Sequence, residues 1–194
     1  SENVTFAMPE TAIGLFPDVG AGYILSNLEG NIGLYLALTG KRVNSADLMV
    51  LGLAHNCVKR INFEEIENKI SLLNDKDEIS NILKTYNIGL EPVLFPKINK
   101  NIEECFKYNQ VEQIIDVLQQ NNDEWSKETF NLINKMSPTS LKITLRQLRL
   151  AKDKNLSEVL TMEYRMTQGC MRGQDFYEGV RSVLVDKDHS PIWN

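Results

Sequence analysis

A single strand at the start of the chain, followed by helical periodicity along most of its length, constrains the fold more than any other feature. Residues 3–8 are rich in β-branched and aromatic side chains, and Pro9 ends the strand because proline cannot donate to a sheet ladder. Beyond residue 60, apolar side chains recur every three or four residues, as in helices that bury one face. The sequence therefore predicts a mainly α chain with one or two short strands, both in its first third.

The strand at residues 3–8 has no partner of adequate length later in the sequence, where a brief strand at 54–58 is the one other candidate. An isolated strand or hairpin is marginally stable in water. We therefore expect the first strand to lie at a sheet edge or to be poorly paired. We also expect either that it pairs with another chain or that this sequence is the later part of a longer fold.

Capping residues and glycines predict where the helices begin and end. Asp18 is placed as the N-cap of a helix over 19–28, Gly40 ends a second helix over 31–38, and Ser45 caps a short third one. Further helices, with Asn155 and Asp175 as caps of the last two, are predicted at 63–73, 79–86, 99–108, 110–121, 124–136, 139–153, 156–170 and 176–185.

Composition argues against several classes of protein. Hydrophobic residues make up 42% and charged residues 24% of the 194, a globular mixture, and no apolar run approaches the roughly 20 residues that span a bilayer. Three separated cysteines without a CxxC pair, and two histidines, argue against a disulfide framework or a metal site. The net charge of −5 argues against a nucleic-acid partner. A basic stripe is accordingly interpreted as a solvated helix face: Lys142, Arg146, Arg149, Lys152 and Lys154.

Two acids in a proline-containing loop are the candidate catalytic residues. Glu10 and Asp18 lie eight residues apart, and Pro17 excludes a continuous helix or strand across them, so the loop can fold both carboxylates towards one point. Apolar neighbours would raise a carboxyl pKa and suit general acid/base work. Spacing alone favours a structural interpretation, in which Asp18 caps a helix and Glu10 is a solvated loop acid.

A glycine pair follows the two acids. The sequence Gly20-Ala21-Gly22 at a predicted helix start could cradle an anion. The favoured alternative is close packing of this helix against a neighbour, because glycine permits a close backbone approach.

Two segments resemble the crotonase (enoyl-CoA hydratase/isomerase) superfamily. The first is FAMPETAIGLFPDVG at residues 6–20, supported by LALTG at 36–40, and the second comprises residues 175–188 and 190–193. They lie at opposite ends, so the resemblance covers essentially the whole chain, although residues 60–135 contribute little. Simple hydratases resemble the first segment but typically have glycine where this chain has Asp18. The sequence therefore most resembles a branch of the superfamily that hydrolyses short-chain 3-hydroxyacyl-CoA thioesters.

The resemblance implies that the chain is the C-terminal part of the α/β, ClpP/crotonase-like spiral fold. Residues 1–60 would be the end of the spiral core with its acidic active-site loop. Residues 61–194 would be a helical region that covers coenzyme A and supports a homo-oligomer. In the family, the preceding N-terminal half supplies the oxyanion hole, so we expect these 194 residues alone to be inactive.

The resemblance also implies an acyl-CoA thioester hydrolase of valine degradation, located in mitochondria. Glu10 matches the family's catalytic glutamate and Asp18 its partner acid, and both would contact the substrate. Coenzyme A is part of that substrate, and no separate cofactor, metal, membrane or nucleic acid is implied. Two alternatives stay open: an enoyl-CoA hydratase or isomerase, and a non-catalytic hydrolase-like component of mitochondrial ribosomes. The presence of both acids and a pI of about 5.2 favour the enzyme.

Overall fold

The computed structural model describes residues 1–92 and 94–194, and its first strand is short. Strand β1 (Thr5–Phe6) pairs antiparallel with β2 (Val43–Asn44), with Phe6 opposite Val43. Within the described residues this sheet has two strands, so β1 is paired on one side and its predicted edge position is confirmed. The predicted strand at 54–58 is reduced to one bridge between Val58 and Asn87.

Helices make up most of the remaining chain, as predicted. The helices of the first half are α1 (Ala21–Ser26), α2 (Ile32–Thr39), α3 (Ser45–Val50), α4 (Phe63–Ser71) and α5 (Glu78–Tyr86). Those of the second half are α6 (Phe95–Phe106), α7 (Val111–Gln120), α8 (Glu124–Ile133), α9 (Pro138–Ala151), α10 (Leu156–Cys170) and α11 (Asp175–Val180). Short 3₁₀ segments are Glu10–Ile13 and Arg60–Asn62, and a π-helical turn, Arg181–Val185, follows α11.

Several predicted helix boundaries are confirmed because local capping chemistry sets them. Gly40 ends α2 in the left-handed region with φ of 60°. Asn155 begins α10 with a capping box, in which its side chain accepts from the Glu158 N–H and the Glu158 side chain accepts from the Asn155 N–H. Helix α9 begins at Pro138, one residue before its predicted start at 139, and the side chain of Ser137 caps it.

The predicted cap at Asp18 is wrong. Helix α1 begins at Ala21 and its N-cap is Gly20, with φ of 86°, while no side chain caps this end. The preceding residue, Val19, also has positive φ, 53°, so two left-handed residues separate the Asp18 side chain from the helix. The Asp18 carbonyl, rather than its carboxylate, accepts from the Ala21 N–H at 2.9 Å.

Two further predicted caps are also wrong. Asn44 caps α3, with its side chain accepting from the Asp47 N–H at 2.9 Å, whereas the hydroxyl of Ser45 donates to the carbonyl of Ser1. Asp175 is the first residue of α11 rather than its cap, and its carboxylate is buried. Both differences arise because a neighbour distant in sequence engages the predicted capping side chain.

Contacts among the described residues divide the chain into two compact units. The first contains residues 1–6 and 42–97, and the second contains residues 7–41 and 98–194. In the second unit every residue of α2 is buried, and this helix packs against α1, α8 and α9. The predicted division by role, into residues 1–60 and 61–194, does not follow these units and stays a prediction.

Two glycines let the 3₁₀ segment Glu10–Ile13 approach α11 closely. A Cβ atom on Gly179 would lie 2.4 Å from the carbonyl carbon of Ile13. One on Gly14 would lie 2.2 Å from the carbonyl carbon of Asp175, and Gly14 has φ of 70°. The loop that carries Glu10 and the helix near the C-terminus therefore meet backbone to backbone, at a distance that side chains would prevent.

We expect Gly179→Ala to lower the free energy of unfolding by about 1–3 kcal/mol, because the added methyl group overlaps the backbone of the 3₁₀ segment. Gly169→Ala in α10 is the matched control, since a Cβ there would meet nothing within 4 Å. In a helix, that control should stabilise by up to about 1 kcal/mol. Urea unfolding of both variants measures the difference, and equal effects would contradict the close approach.

Candidate active site

Glu10 begins the 3₁₀ segment and has an incompletely satisfied carboxylate. Its carbonyl accepts from the N–H of Leu15 at 3.0 Å and from that of Gly14, which closes the turn. The side chain is half-buried, and Oε2 is buried without a hydrogen-bond partner among the residues that the structure describes. Buried polar atoms are usually paired, so an unpaired one at this position favours a functional interpretation.

The pKa of the Glu10 carboxyl is raised above its ordinary value of 4.5. Burial is the main cause, a backbone hydrogen bond at Glu10 acts in the opposite direction, and the negative charge of Asp18 raises the pKa further. The loop therefore brings Asp18 close enough for Glu10 to experience its charge. A carboxyl group with a raised pKa is a stronger base once ionised, as proton transfer requires.

Asp18 lies beside a strained stretch of backbone. It is partly exposed, and its side chain makes no hydrogen bond within the described residues. Next to it, Val19 has φ of 53° and a side chain that is 80% exposed. A β-branched residue rarely adopts the left-handed region, which costs roughly 1–2 kcal/mol outside glycine. Such strain persists where the surrounding structure fixes it.

Buried polar residues on α9 and α10 fix this stretch. The carboxylate of Glu163, which is 3% exposed, accepts from the N–H groups of Gly20 at 2.8 Å and Gly22 at 3.0 Å. The side-chain amide of Gln147 donates to Glu163 at 3.0 Å and to the carbonyl of Pro17 at 2.7 Å. Hydrogen bonds from two helices therefore hold the chain on both sides of Asp18.

The glycine pair serves both purposes that the sequence suggested. It cradles an anion, which is the protein's own Glu163 carboxylate, and it permits close packing, since a Cβ on Gly22 would lie 2.7 Å from Glu163 Oε1. Glu163 and Gln147 were not predicted as functional residues. One signal was available: Glu163 follows the buried Val159 by four residues, so an acid occupies a position on the apolar face of α10.

Ser137 connects the acidic loop to α11. Its N–H donates to the carbonyl of Thr11 at 3.1 Å, and its hydroxyl donates to the buried carboxylate of Asp175. The other carboxylate oxygen of Asp175 accepts from the N–H of Asn194 at 3.0 Å. The first turn of α9 and the C-terminal residue therefore support the segment that presents Glu10.

Acidic residues of the C-terminal segment surround Arg181. Its guanidinium pairs at 2.7–2.9 Å with three carboxylates: those of Glu178, Asp186 and Asp188. The hydrogen bonds with Arg181 lower the pKa of Glu178 to about 2. The same guanidinium holds the pKa of Asp188 well below its ordinary value. The C-terminal segment therefore folds around the Arg181 side chain, and the acids that pair with it have a structural role.

The predicted basic stripe, which runs from α9 into the residues just beyond its end, is not uniformly solvated. Arg149 is half-buried, and its guanidinium donates to the carbonyls of Phe106 at 2.8 Å and Tyr108 at 3.0 Å, which lie at and just beyond the end of α6. Burial lowers the pKa of this arginine. The predicted solvated face is therefore wrong for Arg149, whereas three members of the stripe are exposed: Lys142, Arg146 and Lys152.

The cavities of the described part of the chain include one away from the acidic loop. Between α9 and the start of α7 lies an open groove of about 670 Å³, and its lining includes none of the loop residues 9–20. Among residues 1–92 and 94–194, no group of three His, Cys, Asp or Glu side chains could hold a metal ion, and the absence of a metal site stays a prediction. No described helix is both long and apolar enough to cross a membrane.

The chain belongs to the enoyl-CoA hydratase/isomerase family, whose sequence model matches residues 1–194. It is 48% identical over 200 residues to the mitochondrial 3-hydroxyisobutyryl-CoA hydrolase of Homo sapiens. That alignment covers all of this chain and 52% of the human protein, so the chain spans about half the length of the curated relatives it matches. The predicted family is confirmed, and the named relatives are of the kind that its motifs resemble.

Two solved structures share the fold. A carnitinyl-CoA dehydratase from Mycobacterium thermoresistibile matches with a TM-score of 0.88 and 30% identity, covering 99% of this chain and 54% of that one. An enoyl-CoA hydratase from Rhodobacter sphaeroides 2.4.1 matches with a TM-score of 0.87 and 29% identity, covering 100% and 55%. The predicted fold class, the C-terminal part of a crotonase fold, is confirmed.

We expect Glu10→Gln to raise the stability of the chain at pH 7, because the amide removes an unfavourably buried charge. An acid whose pKa is raised by folding binds its proton more tightly in the folded state. Wild-type stability therefore falls as pH rises from the ordinary pKa of 4.5 through the higher folded pKa. The advantage of the amide should accordingly disappear below about pH 4.

Thermal unfolding at pH 4 and pH 7 measures this difference. Glu67→Gln, at an exposed position in α4, is the control and should change stability little at either pH. A Glu10→Gln variant that is less stable than the wild type at pH 7 would show that the carboxylate is a structural residue.

Proposed function

We propose that this chain is the acid-bearing half of an enzyme that hydrolyses a short-chain 3-hydroxyacyl-CoA thioester, 3-hydroxyisobutyryl-CoA, in valine degradation. The observation that carries the proposal is the half-buried Glu10 carboxylate, with one oxygen unpaired, its pKa raised and Asp18 close by. The high identity to a named hydrolase over the whole chain supports the same reaction. The names of such relatives also support a mitochondrial location.

Glu10 acts as the nucleophile or the general base in this hydrolysis. Thioester hydrolysis requires an attack on the carbonyl carbon, stabilisation of the oxyanion that forms, and departure of the coenzyme A thiolate. The Glu10 carboxylate attacks that carbon or removes a proton from an attacking water molecule. Its apolar setting strengthens its basicity, and Oε2 is free for this contact among the described residues.

The oxyanion donors come from outside these 194 residues. The N–H groups of Gly20 and Gly22 lie near the acids, but the carboxylate of Glu163 occupies both. An oxyanion hole needs donors aimed at the developing charge, so this pair does not serve that purpose. The proposed reaction therefore requires the remaining part of the crotonase fold, which supplies these donors.

Asp18 recognises the 3-hydroxyl group of the substrate. Its partly exposed carboxylate makes no hydrogen bond among the described residues, so it can accept one from a hydroxyl group. Two carboxylates in different settings can take different roles, with the more buried one in proton transfer or attack and the more solvated one in binding. Coenzyme A is part of the substrate, and the proposal needs no separate cofactor.

An enoyl-CoA hydratase or isomerase is the second candidate, and the likeness to a solved enoyl-CoA hydratase favours it. Asp18 argues against a hydratase, because simple hydratases have a similar loop but typically carry glycine at the position of Asp18. Incubation of the complete protein with a 3-hydroxyacyl-CoA distinguishes the reactions. A hydrolase releases a free coenzyme A thiol, whereas a hydratase running in reverse forms an enoyl thioester.

In the complete protein, we expect Glu10→Gln to lower kcat by about 10²–10⁴, the usual contribution of a general base or nucleophile. The variant keeps the shape of the side chain, so the protein should remain folded. Thiol release under saturating substrate measures the effect, with Glu67→Gln as the control. Retention of near wild-type kcat would remove Glu10 from the reaction.

Asp18→Asn should change substrate preference in the complete protein. We expect kcat/KM to fall by about 10-fold or more for a 3-hydroxyacyl-CoA, and to change less for an acyl-CoA of equal length without the hydroxyl group. The reason is that the carboxylate contacts only the hydroxylated substrate. Equal, small losses on both substrates would contradict this role.

The 194-residue chain alone should show little thioesterase activity. A single oxyanion donor is typically worth about 10²–10³ in kcat, and the proposal places all of them outside the chain. A thiol-release assay on the purified chain, with heat-denatured chain as the blank, tests this. Turnover close to that of a complete hydrolase would overturn the proposed division of the site.

A further inference from the structure

Glu163 is a buried carboxylate that the proposed reaction does not use. It lies in the middle of α10 with 3% of its surface exposed, and no cationic side chain pairs with it within the described residues. Burying a charge is costly unless hydrogen bonds replace its hydration. Here three N–H donors do so: those of Gly20, Gly22 and the Gln147 side chain, at 2.8–3.0 Å.

These hydrogen bonds all fix one short stretch of chain, residues 17–22. Gly20 and Gly22 follow Asp18, and Gln147, which is bound to Glu163, also donates to the carbonyl of Pro17 just before Asp18. The stretch between these anchors contains Val19, whose left-handed backbone is unfavourable for a β-branched residue. Without the anchors the stretch would relax to a commoner conformation and turn Asp18 away.

We infer that Glu163, acting with Gln147, is a positioning residue that sets the direction of the Asp18 carboxylate and thereby the preference for 3-hydroxyacyl thioesters. The inference rests on the proposed function, in which Asp18 binds the 3-hydroxyl group. Glu163 does not contact the substrate in this scheme. It acts through the backbone on both sides of Asp18.

Glu163→Gln in the complete protein tests the inference. The amide keeps the volume of the side chain but offers one acceptor oxygen, so it cannot serve the N–H groups of Gly20 and Gly22 together. A misplacement of about 1 Å can cost about 10²-fold in rate. We expect the ratio of kcat/KM for a 3-hydroxyacyl-CoA to that for the matching acyl-CoA without the hydroxyl group to fall by about 10- to 100-fold.

A double-mutant cycle with Asp18→Asn makes the test specific. If Glu163 acts only through Asp18, the combined variant should have the same ratio as Asp18→Asn alone. Gln147→Met, which removes the donor to Pro17 at similar volume, should shift the ratio in the same direction by a smaller factor. This second variant provides the same measurement if Glu163→Gln does not fold.

Val159→Ala is the matched structural control. Val159 is buried one turn before Glu163, and a Cβ on Gly22 would lie 3.3 Å from it, so it packs at the same contact without bonding to the loop. We expect this variant to lower the melting temperature and to leave the substrate ratio unchanged. A purely structural Glu163 would give the same pattern as this control.

Hydrogen exchange in the complete protein measures directly whether the loop is held. Glu163→Gln should speed exchange at the Gly20 and Gly22 amides, whereas Val159→Ala should not do so selectively. Equal losses on both substrates, or effects additive with Asp18→Asn, would overturn the positioning role. If Asp18→Asn alone leaves the ratio unchanged while amide exchange still responds to Glu163→Gln, the proposed role of Asp18 fails, and the inferred link to substrate preference fails with it.

Discussion

The irregular loop over residues 9–20 closes its first turn with its own backbone hydrogen bonds, but it depends on helices of the second compact unit for several others. Buried N–H and C=O groups need partners, and this loop has neither a long helix nor a strand to provide them. The helices supply them through Ser137, Gln147 and Glu163, all of which are buried. Ser137, Gln147 and Glu163 therefore share one role, which is to bind backbone groups of the loop that have no partner within it.

The two acids occupy different settings because the loop is held differently at its two ends. Near Glu10, glycines allow the backbone of α11 to lie directly against the 3₁₀ segment. The Glu10 carboxyl is half-buried, and its burial raises its pKa. Near Asp18, the side chains of Glu163 and Gln147 hydrogen-bond to the backbone, and the Asp18 carboxylate stays partly exposed. Packing thus controls the basicity of one acid, and hydrogen bonding controls the direction of the other.

Sequence rules predicted the features that depend on near neighbours. The helix over 156–170 and its Asn155 cap follow from apolar spacing and a capping box within four residues, and both are observed. The same rules failed where a distant partner decides the outcome. The predicted strand at 3–8 is limited to two residues, because β2 pairs with just two.

The candidate site divides in the same way. Glu10 and Asp18 were identifiable because their residue types and loop are local features, and a family resemblance gave them roles. Their support was identifiable only as an acid on the apolar face of α10, since nothing local indicates that Val19 adopts a positive φ or that Glu163 reaches Gly20. A β-branched residue in that conformation contradicts its own propensity, so only the tertiary structure can reveal it.

The hydrogen bonds that hold the loop have a consequence for how the protein is made. The N–H of Gly20 and the carboxylate of Glu163 are 143 residues apart in sequence, and Pro17 and Gln147 are 130 apart. Contacts that close such long loops tend to form after local helices, because the entropy of closure must first be overcome. During synthesis, both acids leave the ribosome long before α10 exists. A nascent or truncated chain therefore carries the two carboxylates without the geometry that makes them a site.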